Sequence, residues 1–358
     1  MTEPRGGADH VAGGGAVAPP ARPAFVPDAP QRRRHPVIAF LVRRLAAGAV
    51  TLLVASFLVF AMTELLPGDV ASVVLGRSAT PESIEALREK LELDRPFAER
   101  YVDWLGGLLT GDLGDSTVAL AQGATEAPVG ERIATPLRNS FVLAGLAFAL
   151  FLPLALGLGV VAGINAGKPI DYLTSMTALV LGALPEFVVA TFLIVIFFTQ
   201  LDLFPPVASF APGDSPLAHL DQLVLPVLTL VLVAIATGMR MVRAGIVDVM
   251  RQDYVTMARL NGFSRARIIR RYAVRNALAP SVVVIATVAA FLVAGVIITE
   301  NVFNYPGVGK LLVDAVRTRD MAVVQAVAMI LAGLYVLLNI LADLLVVFLI
   351  PKLRTAAR

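Results

Sequence analysis

The chain of 358 residues contains no cysteine, which excludes disulfides, thiol nucleophiles and cysteine metal sites. Charge is scarce too. Asp, Glu, Lys and Arg make up 16% of the residues, against roughly a quarter in soluble domains. With 57% hydrophobic residues and a mean hydropathy of +0.77, a soluble reading would need a core larger than such a chain can enclose. Histidine is reduced to His10, His35 and His219, and none stands at metal-ligand spacing from another ligand. No catalytic constellation is visible. Gly307-Val308-Gly309-Lys310 has the outline of a phosphate loop, but Leu311 stands where Ser or Thr would hold magnesium and Asn304 occupies the first glycine position. The chain is therefore expected to bind no ATP, metal or other cofactor by itself.

The apolar residues fall in blocks of about 20, the length that spans a bilayer as helix. Six spans are expected, at about 42–63, 140–161, 174–198, 222–243, 280–299 and 325–349. Arg43 and Arg44, at the start of the first, can snorkel to the interface. Thr174, Ser175 and Thr177 soften the start of the third, and Pro153, Pro185 and Pro226 are placed to kink their spans. With the N-terminus inside, the cytoplasmic pieces carry 18 Lys and Arg against 10 outside, as the positive-inside rule requires. Six spans put both termini in the cytoplasm. In such a chain the net charge of +3 belongs to cytoplasmic loops, and no nucleic-acid partner is implied.

These spans divide the chain. Residues 1–35 form a Gly-, Ala- and Pro-rich cytoplasmic tail expected to be disordered. Residues 36–66 hold the first transmembrane helix and 67–139 an external segment. Residues 140–350 hold the other five helices with a cytoplasmic loop at 244–279, and 351–358 end the chain. In the external segment Thr80 and Pro81 read as N-cap and first helical residue. Ile84, Leu87 and Leu91 then share a face, and a second amphipathic stretch carries Phe97, Tyr101, Trp104, Leu105 and Leu108. The segment has 12 acidic against seven basic residues. It is either a packed cap on the spans or a docking surface for an external partner.

The loop from Arg251 to Pro280 carries the most information. Asp253 is placed to cap a short helix, on which Tyr254, Met257 and Ala258 share a face. Gly262 can end it in a left-handed turn. Ser264 can cap a second helix bearing Arg265, Arg267, Arg270, Arg271 and Arg275. Such a pair suits docking in a groove of a cytoplasmic partner. It equally suits an interfacial helix whose arginines hold anionic headgroups.

Within the spans Glu186, just after Pro185, is costly to bury. It is either a pathway contact to a peptide ammonium group or an interhelical hydrogen bond; the first predicts that Glu186→Gln impairs transport. Asn339 and Asp343 share a face and suit packing by hydrogen bonds. Gly159, Gly163 and Gly167 repeat every four residues, a close-packing pattern.

The loop resembles the "EAA" coupling loop of ABC transporter permeases, in the form used by the dipeptide, oligopeptide and nickel importers. The matching residues are Asp253-Tyr254-Val255, Ala258-Arg259, Gly262, Arg275-Asn276-Ala277-Leu278 and Pro280. Leu65-Leu66-Pro67-Gly68-Asp69, Gly111-Asp112-Leu113-Gly114-Asp115-Ser116, Glu300-Asn301-Val302-Phe303 and Pro306-Gly307-Val308-Gly309 fit the same family. So do Asn339, Asp343 and the ending Ile350-Pro351-Lys352-Leu353-Arg354, so that the resemblance runs from about 38 to 354. Thr256 and Met257 depart from the general loop pattern, as in many peptide importers, and the tail has no counterpart.

The resemblance implies an all-α, six-span permease of the type I ABC importer fold, with a small external helical subdomain, in a bacterial inner membrane. It implies a second homologous permease, two ATPase subunits that hold ATP and magnesium, and an extracytoplasmic substrate-binding protein. Asp253, Tyr254, Met257, Ala258, Arg259 and Gly262 would contact one ATPase. Di- or oligopeptides are the implied cargo, with nickel or a nickel chelate as the alternative within the family. A secondary transporter would show inverted repeats or paired broken helices, and an intramembrane enzyme a convergent polar set; neither is visible in the sequence.

Overall fold

A computed structural model describes residues 36–65, 70–76, 79–211, 213–274, 288 and 295–349. The tail 1–35, Leu66 to Asp69, Arg275 to Pro280, most of the expected fifth span and residues 350–358 lie outside the described residues. Every regular element described is helical. In chain order these are α1 (Pro36–Glu64), α2 (Val70–Leu75), α3 (Pro81–Lys90), α4 (Phe97–Thr110), α5 (Thr117–Ala121), α6 (Val129–Ile164) and α7 (Pro169–Ala183). Next come α8 (Glu186–Ile194, running into a π-helical turn at Val195–Gln200), α9 (Leu220–Met250), α10 (Asp253–Leu260) and α11 (Arg265–Ile268, with a π-turn at Ile269–Val274). Then follow α12 (295–302), α13 (Val308–Thr318) and α14 (Met321–Leu349).

Among the described residues α1, α6, α9 and α14 are each long and apolar enough to cross a membrane. The third expected span is not one straight rod. It is the pair α7 and α8, bent by 106° at Leu184–Pro185, and counts as a fifth span if taken whole. Pro153 and Pro226 instead sit inside helices that continue through them. α6 begins 11 residues before the expected start at 140. Its 36 residues rise about 54 Å at 1.5 Å each, well beyond a hydrocarbon core of roughly 30 Å. The end of the 67–139 segment is thus the projecting first turns of α6. α7 likewise starts at Pro169, ahead of Thr174.

α9 is the centre of the bundle, packed by α6, α7 and α8. Glycine sets how near α6 approaches. A β-carbon on Gly159 would lie 2.5 Å from Val242 Cβ, and one on Gly163 2.6 Å from Ile246 Cβ. From the other side, one on Gly238 would lie 2.5 Å from the ring of Phe151. Gly167 does not belong to this seam. It has open space around its α-carbon and adopts φ +80°, so it serves the turn after α6.

α1 and α14 form a second pair, close where Gly48 faces Val336 and Ile340. Polar contacts join both ends. Arg44 pairs with Asp343, and Gln325 Nε2 donates to Thr63 Oγ1 at 2.7 Å. Among the described residues Asn339 makes no hydrogen bond to a neighbouring helix. Its amide donates to Tyr335 O of its own helix, at 2.8 Å.

At the end away from α10, α3 starts as the sequence suggests. Thr80 and Ser83 form a reciprocal capping box with Pro81 at the first position. Phe97, Tyr101 and Trp104 of α4 surround Phe60 of α1 with centroids 5.3–5.5 Å apart. Tyr101 also hydrogen-bonds Ser56, at 3.0 Å, and Arg100 reaches Glu64 at 2.6 Å.

Two buried carboxylates fasten this same end. Glu300 is fully buried and accepts from Ser140 Oγ, from Gly309 N at 2.7 Å and from Lys310 N at 3.2 Å. It thereby caps α13, and a side chain at Gly307 would overlap its carboxylate. Tyr305 donates to Asn139 O at 2.7 Å, and Asn139 Nδ2 to Pro306 O at 2.9 Å. Burial pushes the Tyr305 phenol above its ordinary pKa, helped by the nearby Glu300, so it remains a donor. Asp320 accepts from Ser116 Oγ and from Thr117 N at 2.9 Å, which ties the 111–116 loop to the start of α14.

Gly159→Leu should separate α6 from α9 and cost about 1–3 kcal/mol, the usual penalty for overpacking. Thermal unfolding in detergent measures it, with Gly167→Asn as a control that keeps the left-handed turn and changes stability little.

Candidate functional site

α9 projects past the expected end of its span and stops at Met250, after which Arg251 and Gln252 turn the chain. α10 does not begin as Asp253 suggested. Gln252 is the N-cap, without a side-chain bond, and Asp253 is the first helical residue. Its exposed carboxylate still favours the positive end of the helix. The other end of α10 follows the expectation. Gly262, at φ +75°, donates to Arg259 O at 3.0 Å, and Phe263 N donates to Ala258 O at 3.1 Å. These two bonds form a Schellman closure, which needs a residue at ease in the left-handed region. Ser264 precedes α11 as N-cap, again without a capping side-chain bond.

The two short helices make an elbow with its own small core. Val255, Ala258 and Ile268 are buried, and Val249, Met250 and Tyr272 pack against them. Tyr272 stacks on Phe263 at 6.4 Å, and Arg265 NH2 donates to Ile164 O at 2.9 Å. The elbow is thereby held to the ends of both α9 and α6.

This core divides the face expected of α10. Ala258 points inward, so it supports the elbow from within and is no surface contact. The outward apolar stripe is Tyr254, Met257 and Leu260, the last 77% exposed. Leu260 was missed, although it follows Met257 by three residues. What hid it was not its spacing but the unknown side on which α11 would pack. Arg259 is exposed and, with Arg251, Phe263 and Arg265, lines a cavity of about 520 Å³ beside the end of α6.

Two to three turns above the elbow, Arg243 of α9 grips Asp171 of α7 with both arms, Nε to Oδ1 at 2.5 Å and NH2 to Oδ2 at 2.7 Å. Asp171 also accepts from Gly167 N at 2.9 Å and Ser175 Oγ at 3.3 Å. A planar guanidinium on a carboxylate with its remaining lone pairs filled is a stiff joint. Nothing in the sequence spacing pairs these residues, which lie 72 apart.

From Asp171, α7 leads to the bend. Glu186 is the first residue of α8, buried beside Gly295, and its carboxyl accepts from the Thr299 hydroxyl. Within this chain the group sits between helices α8 and α12. The geometry therefore runs in a line: outward stripe, elbow, α9, Arg243–Asp171, α7 and the bend at Glu186. A load on α10 has packed or hydrogen-bonded connections all the way to that bend.

The described residues form an all-helical bundle with four helices long and apolar enough to cross a membrane and a glycine-closed helical elbow at one end. The chain belongs to the family described as binding-protein-dependent transport system inner membrane component, which matches residues 155–355, and the N-terminal component of the same system matches 37–130. It is thus an ABC importer permease subunit of the inner membrane. A peptide transport system permease protein of Brucella abortus is 36% identical over 317 residues, covering 88% of this chain and 99% of that protein. The glutathione transport system permease protein of Pectobacterium atrosepticum is 34% identical over 316 residues, covering 88% and 98%. A crystal structure of an amino acid ABC transporter with histidines aligns with 59% of this chain and 91% of its own, at TM-score 0.46 and 17% identity.

Gly262→Pro should open the elbow, because proline fixes φ near −65° and lacks the N–H given to Arg259. Trypsin should then cut within 251–274 at least about tenfold faster while α6 and α9 stay intact; an unchanged rate would show that the closure does not hold the elbow.

Proposed function

We propose that this chain forms half of the translocation pathway of an ATP-driven importer of di- or oligopeptides. Its elbow docks in a groove of one of two cytoplasmic ATPase subunits. A second homologous permease completes the pathway, and an extracytoplasmic substrate-binding protein delivers cargo at the end bearing α3 to α5. The observation that carries this reading is the elbow itself, an eight-residue helix with an apolar outer stripe and a packed inner face. The names of the relatives support a peptide cargo.

In this reading the ATPases hold ATP and magnesium, and this chain supplies no chemistry. Closure of the ATPases moves the stripe of Tyr254, Met257 and Leu260. Asp253 and Arg259 flank that contact. The elbow core passes the displacement to α9, and the Arg243–Asp171 joint passes it to α7. The bend at Leu184–Pro185 then turns a shift at one membrane face into a change of tilt across the span. Both termini lie in the cytoplasm.

The complex purified with its co-encoded neighbours should hydrolyse ATP, and the loaded external binding protein should stimulate it. Met257→Arg places a charge in the apolar stripe and should cut that stimulation at least about tenfold with the spans inserted; no associated ATPase at all would overturn the reading. At Glu186 the hydrogen bond to Thr299 sets the expectation. Glu186→Gln keeps an acceptor and should retain peptide uptake within about twofold, whereas Glu186→Leu should lose it. Uptake that collapses in the Gln variant with assembly intact would instead assign the charge to the pathway.

A further inference from the structure

The helix α4 has an apolar side that its packing on α1 does not use. Phe97, Tyr101 and Trp104 surround Phe60 of α1. Glu99 and Asp103 lie on another side, exposed, where Arg95 bridges them at 3.7 and 2.6 Å. Between these two sides runs a third, formed by Ala98, Val102, Leu105 and Leu109 at helical spacings of four, three and four. Val102 is 63% exposed and Leu109 80%. An apolar run left this open would be costly against water.

Two observations identify what covers it. The first is continuity with the spans. An open groove of about 390 Å³ runs beside this flank, lined by Leu52 and Leu53 of α1, Met329 and Ile330 of α14, and Leu105 and Leu109 of α4. No charged residue lines it. α1 and α14 are long and apolar enough to cross a membrane, and Leu53 and Phe57 on the outward face of α1 are exposed. The flank of α4 extends that lipid-facing surface.

The second is depth. Tyr101 hydrogen-bonds Ser56, which lies eight residues before the end of α1 at Glu64, or about 12 Å at 1.5 Å per residue. The 29 residues of α1 rise about 43 Å, so a helix centred on a core of roughly 30 Å overhangs it by about 7 Å at each end. Ser56 is then about 5 Å inside the hydrocarbon, which matches the roughly 5–10 Å to which an interfacial amphipathic helix sinks its apolar face. Tyrosine and tryptophan favour this level, and Arg100 reaches up from it to Glu64.

We propose that α4 lies in the membrane interface at the end away from α10, with Val102, Leu105 and Leu109 among the acyl chains of that leaflet. Immersion closes this flank to soluble partners and leaves the Glu99 and Asp103 edge as the side of α4 that such a partner can reach. The placement depends on the spans alone and not on the cargo or on the docking proposed for α10.

Because the chain has no cysteine, a nitroxide label can be placed singly through Val102→Cys, Leu109→Cys or Asp103→Cys. The labelled chain is purified with its co-encoded neighbours, their own cysteines replaced, and reconstituted in phosphatidylcholine liposomes. Electron paramagnetic resonance then compares collisions with oxygen, which concentrates in the bilayer, and with the neutral water-soluble chelate nickel ethylenediaminediacetate. The oxygen-to-nickel collision ratio at 102 and at 109 should be at least about fivefold that at 103. A ratio at 102 and 109 no higher than at 103 would place the flank in water and overturn the proposal in favour of a surface for a soluble partner. Low collision rates with both reagents at 102 and 109 would show the flank covered by protein, such as a second permease, and would overturn it equally. Should one flank variant fail to assemble, the other decides by the same criterion.

Discussion

The approach of α6 to α9 at Gly159, Gly163 and Gly238 governs how the rest of the chain is arranged. Each of these positions has a neighbour where a β-carbon would go. In lipid, helices gain little from the hydrophobic effect on each other and associate through close van der Waals contact. The glycine seam provides that contact over three turns. α9 is consequently fixed along one side, and every element of functional interest is attached to it. The elbow continues from its end, α7 is gripped through Arg243, and α8 packs along it with Glu186 at the bend.

The opposite end is fixed by different means. Glu300 and Asp320 are nearly or fully buried, an arrangement that is costly for a carboxylate without partners. Each is surrounded by donors instead. Glu300 takes the Ser140 hydroxyl and two backbone N–H groups of α13, while Asp320 takes the Ser116 hydroxyl and the Thr117 N–H. The effect is to bind α6, α12 and α13 into one block, and the 111–116 loop to α14. The elbow end is held differently, by the Arg243–Asp171 ion pair and the Gly262 turn.

Much of this was legible in the residues, and the failures share a cause. Blocks of apolar residues located α1, α6, α9 and α14 because a span's length is set by the bilayer. Thr80-Pro81 and Gly262 were legible because caps and left-handed turns depend on residues adjacent in sequence. Whatever depends on contacts between distant segments was not. The inward place of Ala258, the outward place of Leu260, the pairing of Arg44 with Asp343 and the grip of Arg243 on Asp171 all need the packing of separate helices. Gly167 had the spacing of Gly159 and Gly163 but lies past the last turn of α6, where the pattern no longer describes a helix face. Glu300 and Gly307 were recognised by family likeness alone. The structure supplies the reason, since the carboxylate occupies the space a side chain at Gly307 would fill.

The central claim is that α10 presents Tyr254, Met257 and Leu260 to a cytoplasmic ATPase while Val255 and Ala258 face inward. Because the chain has no cysteine, single cysteines can be introduced without background. The most direct measurement is disulfide crosslinking of Met257→Cys and of Val255→Cys to a cysteine placed in the groove of the co-purified ATPase. The account predicts a crosslink from position 257, strengthened or weakened by nucleotide, and none from position 255. Equal crosslinking from both, or none from 257 in an assembled complex, would contradict it.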